Sequence, residues 1–87
     1  MAWKVEFIRR AEKQIDRLDP QIRIRILKKL KSAADSDNPR ASSEPLIGPW
    51  TGYWRYRVGD HRAICRIDDA VVTVFVIEVG HRSQVYR

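Results

Sequence analysis

The strongest constraint on the fold is a pair of alternating segments, residues 53–58 and 61–67, joined by Gly59-Asp60. Successive side chains of a strand point to opposite faces of a sheet. Glycine tolerates the positive φ of a tight turn, and aspartate can bond its own backbone, so this pair favours a reversal. The two segments therefore predict a β-hairpin with one apolar face and one face rich in arginine.

Four arginines fall on the same face of the predicted hairpin: Arg55, Arg57, Arg62 and Arg66. Like charges held this close repel one another, so the surface is unfavourable unless an anion normally meets it. The whole chain has 17 basic and 11 acidic residues, a formal net charge of +6. This balance predicts affinity for a polyanion such as RNA or DNA, or for an acidic protein.

Helical periodicity replaces alternation in the N-terminal third of the chain. Residues 3–8 alternate like a short strand, but from Arg9 onward the apolar residues recur at three- and four-residue steps, which predicts an amphipathic helix. Asp19-Pro20 favours the start of a second helix over residues 20–34, because aspartate caps helices and proline suits the first helical position. Two adjacent amphipathic helices predict an antiparallel helical hairpin that covers a sheet.

The second predicted helix carries a basic face as well as an apolar one. Its cations are Arg23, Arg25, Lys28, Lys29 and Lys31. A charge run of this kind usually marks a solvated surface, which is our interpretation, and contact with a nucleic-acid backbone is the alternative.

Two further segments complete the predicted fold. Residues 35–52 are rich in turn-forming residues, so we expect an irregular connector that Leu46, Ile47 and Trp50 hold against the core. Residues 71–79 form a β-branched run typical of a central strand buried on both sides. We expect the first strand to lie beside this central strand.

The element order is therefore β-α-α-β-β-β, which predicts one small two-layer α+β domain over residues 1–87. The helices would cover one face of the sheet and the arginines would lie on the other. Glu78 is the one charge in the last strand, and we expect it to share a face with Val74 and Val76 and to order an arginine at the sheet edge.

Several classes of protein are disfavoured by what the sequence lacks. Its single cysteine, Cys65, excludes an internal disulfide and supplies no metal-ligand pattern, so we interpret it as a buried structural thiol. The N-terminus lacks the apolar region of a signal peptide, and no apolar run has the length of a membrane span. We therefore expect a cytoplasmic protein with no metal, no cofactor and no membrane partner.

The residues that could perform chemistry are the arginines together with His81, Arg82 and Tyr86, which follow the last strand. Such a set suits the cleavage of RNA by its own 2′-hydroxyl, which needs an aligned phosphate, a stabilised phosphorane and two proton transfers. The arginine side chain stays protonated at neutral pH and cannot accept a proton. His81 or Tyr86 would therefore act as the base. The simpler alternatives are that His81 is only a polar residue at a strand end and that Tyr86 is only an aromatic residue packed on the sheet.

The segment WRYRVGDHRAICRIDDAVVTVFVIEVGHRSQVY resembles the C-terminal half of RelE-type toxins from bacterial toxin–antitoxin systems, and VEFIRRAEKQIDRLDP resembles their N-terminal half. The resemblance implies a RelE-like fold, with the helical hairpin on a mostly antiparallel sheet. It also implies a metal-independent mRNA interferase that cleaves codons in the ribosomal A site. The implied partners are the ribosome with its mRNA and a cognate antitoxin, and operator DNA would be reached only through that antitoxin.

The same resemblance suggests roles for individual residues. Tyr86 would be the general base and Arg82 would assist the leaving group, with His81 as a second candidate base. The phosphate would be held by arginines, namely Arg55, Arg57 and Arg62, with Arg66 beside them. The best-known members have lysine at the first two of these positions, and arginine keeps the charge but not a readily lowered pKa.

Two other functions compete with RNA cleavage. The ParE branch of the same superfamily shares the fold and poisons DNA gyrase. A non-catalytic nucleic-acid-binding module could instead stack bases on Trp3, Trp50 and Trp54. We favour the nuclease because the chain retains the arginines and the tail tyrosine that gyrase poisons generally lack.

Overall fold

A computed structural model describes residues 2–82 of the chain. Its strands and helices are β1 (Lys4–Phe7), α1 (Arg9–Asp16), α2 (Pro20–Asp35), β2 (Glu44–Pro45), β3 (Trp54–Val58), β4 (His61–Asp68) and β5 (Thr73–His81), with 3-10 turns at Pro39–Ser42 and Gly48–Trp50. The described strands form one sheet in the order β1-β5-β4-β3-β2. β1 runs parallel to β5, and the other neighbours are antiparallel. The predicted α+β fold is confirmed, and β1 lies beside β5 as expected, although the middle strand of the five is β4 and not β5.

The helices form where the apolar periodicity and the caps predict them. Asp19 caps α2 by accepting a hydrogen bond of 2.9 Å from the backbone N–H of Gln21, and Pro20 occupies the first helical position. The buried face of α2 includes Ile26 and Leu30. Within residues 2–82, no helix is long and apolar enough to cross a bilayer.

The main core lies between the helices and the sheet. Its fully buried members come from both layers, among them Ala11, Ile26, Leu30, Tyr56, Cys65 and Val76. A smaller apolar cluster occupies the other face of the sheet, where Leu46 and Ile64 are buried beneath Trp50, Tyr53 and Ile77. Cys65 is therefore a structural thiol, as predicted.

The connector over residues 35–52 is more ordered than its composition indicates. It contains β2 and both 3-10 turns, and the buried hydroxyl of Tyr56 donates a hydrogen bond of 2.7 Å to the carbonyl of Pro39. Leu46 and Trp50 do pack on the sheet, but the expectation for Ile47 was wrong, since this residue is 85% exposed. Its neighbour Leu46 takes the inward position instead.

A β-bulge in β5 corrects the prediction for Glu78. Ile64 pairs with Glu78 whereas Cys65 pairs with Val76, so Ile77 is an extra residue in β5. The bulge breaks the alternation, and Glu78 does not share the core-facing side of Val76. Its described ionic partner is Arg10 of α1, at 3.5 Å.

Candidate functional site

The β3–β4 hairpin and the end of β5 bring four of the predicted site residues to one end of the sheet: Arg57, Arg62, His81 and Arg82. Gly59 has φ +58 in the two-residue turn, which glycine adopts without strain. The resulting register places Arg57 opposite Arg62 and His61 opposite His81. The backbone N–H of Arg82 donates a hydrogen bond of 2.8 Å to the carbonyl of Asp60. We call these residues the turn-end site: Arg57, His61, Arg62, His81 and Arg82.

The two arginines of β3 share one carboxylate. Oε1 of Glu44, on β2, lies 3.2 Å from Nε of Arg55 and 2.8 Å from Nε of Arg57. Desolvation opposes ionisation of Glu44, but the two guanidinium groups outweigh it and hold the pKa of this carboxyl below its ordinary value. Glu44 therefore meets both arginines as an anion at neutral pH.

Arg62 folds back over the hairpin turn. Its Nη1 lies 3.2 Å from the carbonyl oxygens of both Gly59 and His61. Because Arg57 is its partner across the strands, two guanidinium groups lie at the same level of the sheet. Two arginines on neighbouring strands can bind an anion such as a phosphate group.

Arg66 is not part of the turn-end site. It lies four residues beyond Arg62 on β4, roughly 13 Å along the strand, and Ile64 of the small apolar cluster lies between them. Its guanidinium pairs with Asp68 at 3.2 Å and lies 4.7 Å from the ring centre of Phe75. The four predicted arginines therefore do not form a single cluster, and substrate binding by Arg66 stays a prediction.

The rings of His61 and His81 meet edge to face. Their centres are 5.5 Å apart and their planes form an angle of 88°. Burial lowers the pKa of His61, and the charges of His81, Arg25 and Arg62 lower it further, whereas Asp60 opposes them. The neutral imidazole of His61 is thus favoured in the folded protein.

The basic face of α2 extends the site. A shallow groove of about 430 Å³ runs between α2 and the hairpin, lined by Arg25, Lys28, Lys29, Arg57, Val58 and Gly59. Three cations of this helix therefore face the hairpin turn, and their contact with a nucleic-acid backbone stays a prediction. Their spacing in the sequence, at positions i, i+3 and i+4, already places them on one side of a helix.

Three residues of this region were missing from the predicted site: Arg25, Glu44 and His61. Arg25 and His61 carry suitable side chains, but only the packing of α2 on the hairpin brings them together. Glu44 belongs to a two-residue strand that no periodic pattern marks. Tyr86 lies outside the described residues, so its role stays a prediction.

The arrangement can bind phosphate and transfer protons. Burial raises the pKa of the Cys65 thiol, so this cysteine is not a nucleophile. Residues 2–82 contain no cluster of three or more His, Cys, Asp or Glu side chains placed to hold a metal ion. What the described site offers is an anion-binding surface of guanidinium and ammonium groups, with two imidazoles on the helix-facing side of the same end of the sheet.

Comparison with known proteins gives consistent matches. A family model described as "ParE toxin of type II toxin-antitoxin system, parDE" matches residues 5–86. Toxin RelG of Mycobacterium tuberculosis is 30% identical over 87 residues, which cover 100% of this chain and 99% of the relative.

Two solved structures share the fold closely. The toxin–antitoxin complex RelBE2 of Mycobacterium tuberculosis contains a chain with a TM-score of 0.80 and 28% identity, covering 94% of this chain and 100% of that one. A doubly substituted Escherichia coli toxin RelE in the free state has a TM-score of 0.79 and 30% identity, covering 98% of this chain and 88% of that one. The sheet order and the helical hairpin described above are therefore shared with solved toxins.

Proposed function

This chain belongs to the RelE/ParE family of type II toxin–antitoxin toxins, and we propose that it inhibits translation as a ribosome-dependent endoribonuclease. The observation that carries the proposal is the register of β3, β4 and β5. It pairs Arg57 with Arg62 and places His81 and Arg82 at the same end of the sheet. This set can neutralise a phosphate group and supply proton transfer without a metal ion.

The proposed reaction is attack by a 2′-hydroxyl of the message on its neighbouring phosphorus. The 2′-oxygen forms a bond to phosphorus while the bond to the 5′-oxygen breaks, which leaves a 2′,3′-cyclic phosphate and a free 5′-hydroxyl. Arg57 and Arg62 stabilise the charge of the phosphorane, with Arg55 held beside them through Glu44. Arg82 stabilises the leaving oxygen. The family resemblance makes Tyr86 the proton acceptor, and His81 is the alternative.

The proposed partners follow from the charge of the site and from the relatives. A basic groove and a basic turn-end site attract the phosphate backbone of mRNA and ribosomal RNA. An acidic segment of a cognate antitoxin would find the same attraction, and the mycobacterial relative was solved as a toxin–antitoxin complex. We propose that such an antitoxin neutralises this toxin in the cytoplasm and is its link to operator DNA.

A gyrase poison remains the second candidate, because the matching family model is described as a ParE toxin. A non-catalytic base-stacking module has less support. Trp54 is partly buried against the main core, with the guanidinium of Arg40 5.7 Å from its ring centre. Trp50 likewise packs on the small apolar cluster.

The deciding experiment incubates the purified protein with ribosomes that carry a defined message and maps the new RNA ends. We expect cleavage within the A-site codon, with a cyclic phosphate at the new 3′ end, and a loss of at least ~100-fold in the Arg82→Ala variant. Arg9→Ala is the matched control, because Arg9 is an exposed arginine at the start of α1.

A gyrase supercoiling assay runs in parallel with the ribosome assay. An intact message together with inhibited supercoiling would reject the nuclease and establish the gyrase poison. An intact message with RNA binding alone would leave the non-catalytic module as the function.

A further inference from the structure

We propose that a pocket on the sheet face of the small apolar cluster binds one nucleobase of the message, next to the phosphate that Arg57 and Arg62 hold. The pocket has a volume of about 350 Å³ and is lined by Leu46, Ile47, Trp50 and Arg55. This inference rests on the proposed nuclease function and deepens it, because it names a contact that positions the message through a base and not through a phosphate.

The pocket lies on the same face of the sheet as the paired arginines. Arg55 and Arg57 flank Tyr56, whose side chain is buried in the main core, so both arginines leave β3 on the opposite face. Arg55 lines the pocket, and Oε1 of Glu44 lies 3.2 Å from its Nε and 2.8 Å from Nε of Arg57. The two arginines are roughly 7 Å apart along β3. A phosphate at Arg57 and a base at Arg55 can therefore belong to neighbouring nucleotides of one strand.

The loop that forms the pocket wall, residues 46–53, is closed by its own hydrogen bonds. The backbone N–H of Leu46 donates a hydrogen bond of 3.0 Å to the carbonyl of Tyr53, which joins the two ends of the loop. Inside it, the N–H and the hydroxyl of Thr51 donate to the carbonyl of Gly48, at 3.1 and 2.7 Å. A preformed loop loses little conformational entropy when a ligand binds.

The walls of the pocket match the flat apolar surface and the polar edge of a nucleobase. Ile47 is 85% exposed and Trp50 is partly buried, so both offer apolar surface to the pocket. Trp50 meets Tyr53 edge to face, with ring centres 6.1 Å apart and planes at 73°, which orients its ring. The guanidinium of Arg55 can stack on a base or donate hydrogen bonds to its edge. Aliphatic, aromatic and guanidinium groups together suit one stacked base.

This pocket adds a base contact to the phosphate site and is not a base-stacking module by itself. Trp50 packs on the small apolar cluster and also lines the pocket. The neighbouring phosphate supplies most of the affinity for a polyanion. The stacked base would instead decide which nucleotide lies at Arg57 and Arg62.

The first measurement is the binding of two short RNAs to the free protein, followed by NMR at the indole N–H of Trp50. One probe is a 2′-O-methylated trinucleotide of adenosine, which cannot be cleaved, and the other is the same backbone without bases. We expect the Trp50 signal to shift only with the trinucleotide. Ile47→Ser should weaken trinucleotide binding at least ~3-fold. Val71→Ser changes an exposed aliphatic residue outside the pocket and should leave binding unchanged.

The second measurement is single-turnover cleavage on ribosomes, arranged as a cycle between the protein and the message. Two messages each lack one base, on the 5′ or the 3′ side of the scissile phosphate, and keep the ribose with its 2′-hydroxyl. Loss of the base that occupies the pocket should slow the unmodified protein at least ~5-fold. The same loss should slow Trp50→Leu less than ~2-fold, because the contact is already absent there.

Two further variants control this cycle. Trp3→Leu should retain the full effect of base removal, because Trp3 is partly buried against the main core beside β1, at the other edge of the sheet. Far-ultraviolet circular dichroism verifies that Trp50→Leu is folded, and Ile47→Ser takes its place in the cycle if it is not.

Each outcome decides a different point. Equal effects of base removal in the unmodified protein and in Trp50→Leu would overturn the base pocket. A Trp50 signal that responds equally to both probes would also overturn it. A signal that responds to neither probe would do the same and leave an apolar side chain of a partner protein as the occupant. Absence of cleavage by the unmodified protein, with a base-dependent shift of Trp50, would instead reject the nuclease and leave nucleotide binding.

Discussion

At the scale of single residues, Glu44 and its two arginines show how the site balances its charge. One carboxylate oxygen serves both Arg55 and Arg57 through their Nε atoms. Its negative charge offsets the positive groups of β3, which lie beside β4 and Arg62. Glu44 thus stabilises the arginines in the free protein and competes with a phosphate for them.

This competition can be measured with Glu44→Gln. The substitution removes one negative charge at the site, so a short RNA should bind about threefold more tightly at low salt, with a steeper loss of affinity as salt rises. Fluorescence anisotropy over a salt series gives both quantities. Glu6→Gln makes the same change in charge on the edge strand β1, and an equal effect in this control would show that only net charge matters.

At this scale, the sequence predicted some residues of the site and missed others. The approach of Arg57 to Arg62 follows from alternation and from one two-residue turn, which are local properties. The place of His81 and Arg82 depends on the pairing of β5 with β4. The inclusion of Arg25 and His61 depends on how a helix packs on the hairpin, and no local pattern encodes that contact. Whether Tyr86 belongs to the site is the part of the prediction that the described residues leave to experiment.

At the scale of elements, the periodic segments were predicted well and the connector was not. Both helices and the β3–β4 hairpin have apolar residues at the spacing that their structure requires. β2 has two residues and is a strand because β3 lies beside it. The bulge at Ile77 could not be predicted from the sequence either, because a β-branched run has the same pattern with one residue more or less.

The connector is attached to the sheet through Tyr56 of β3. This side chain is fully buried, and its hydroxyl donates a hydrogen bond of 2.7 Å to the carbonyl of Pro39. Burial raises the pKa of Tyr56 to about 12. The folded state therefore keeps a proton that the unfolded chain releases near pH 10.

Two consequences can be tested by urea unfolding. Tyr56→Phe leaves the Pro39 carbonyl without this donor and should lower the free energy of unfolding by ~1–3 kcal/mol. Between about pH 10 and 12 the unfolded state of the unmodified protein binds fewer protons than the folded state, so its stability should fall as pH rises. The variant should lack this contribution, and an unchanged alkaline slope would contradict the assignment. Tyr53→Phe, on the partly exposed small cluster, serves as the control.

At the scale of the whole molecule, which has a net charge of +6, the basic residues at the two ends of the sheet have different surroundings. Three cations of α2 and Arg57 of the hairpin line one groove, whereas Arg40 and Arg66 are paired with Asp69 and Asp68 at the other end of the sheet. Composition alone predicted an anionic partner. The fold adds the location where that partner would be met.

The central claim is that phosphate chemistry takes place at the turn-end site and not on the arginine face as a whole. The most direct test compares Arg57→Ala with Arg66→Ala, two substitutions that remove the same charge from adjacent strands. Single-turnover cleavage of a message on programmed ribosomes should fall at least ~100-fold in Arg57→Ala and stay within about threefold of the unmodified protein in Arg66→Ala. Equal losses in the two variants, or a larger loss in Arg66→Ala, would contradict the account.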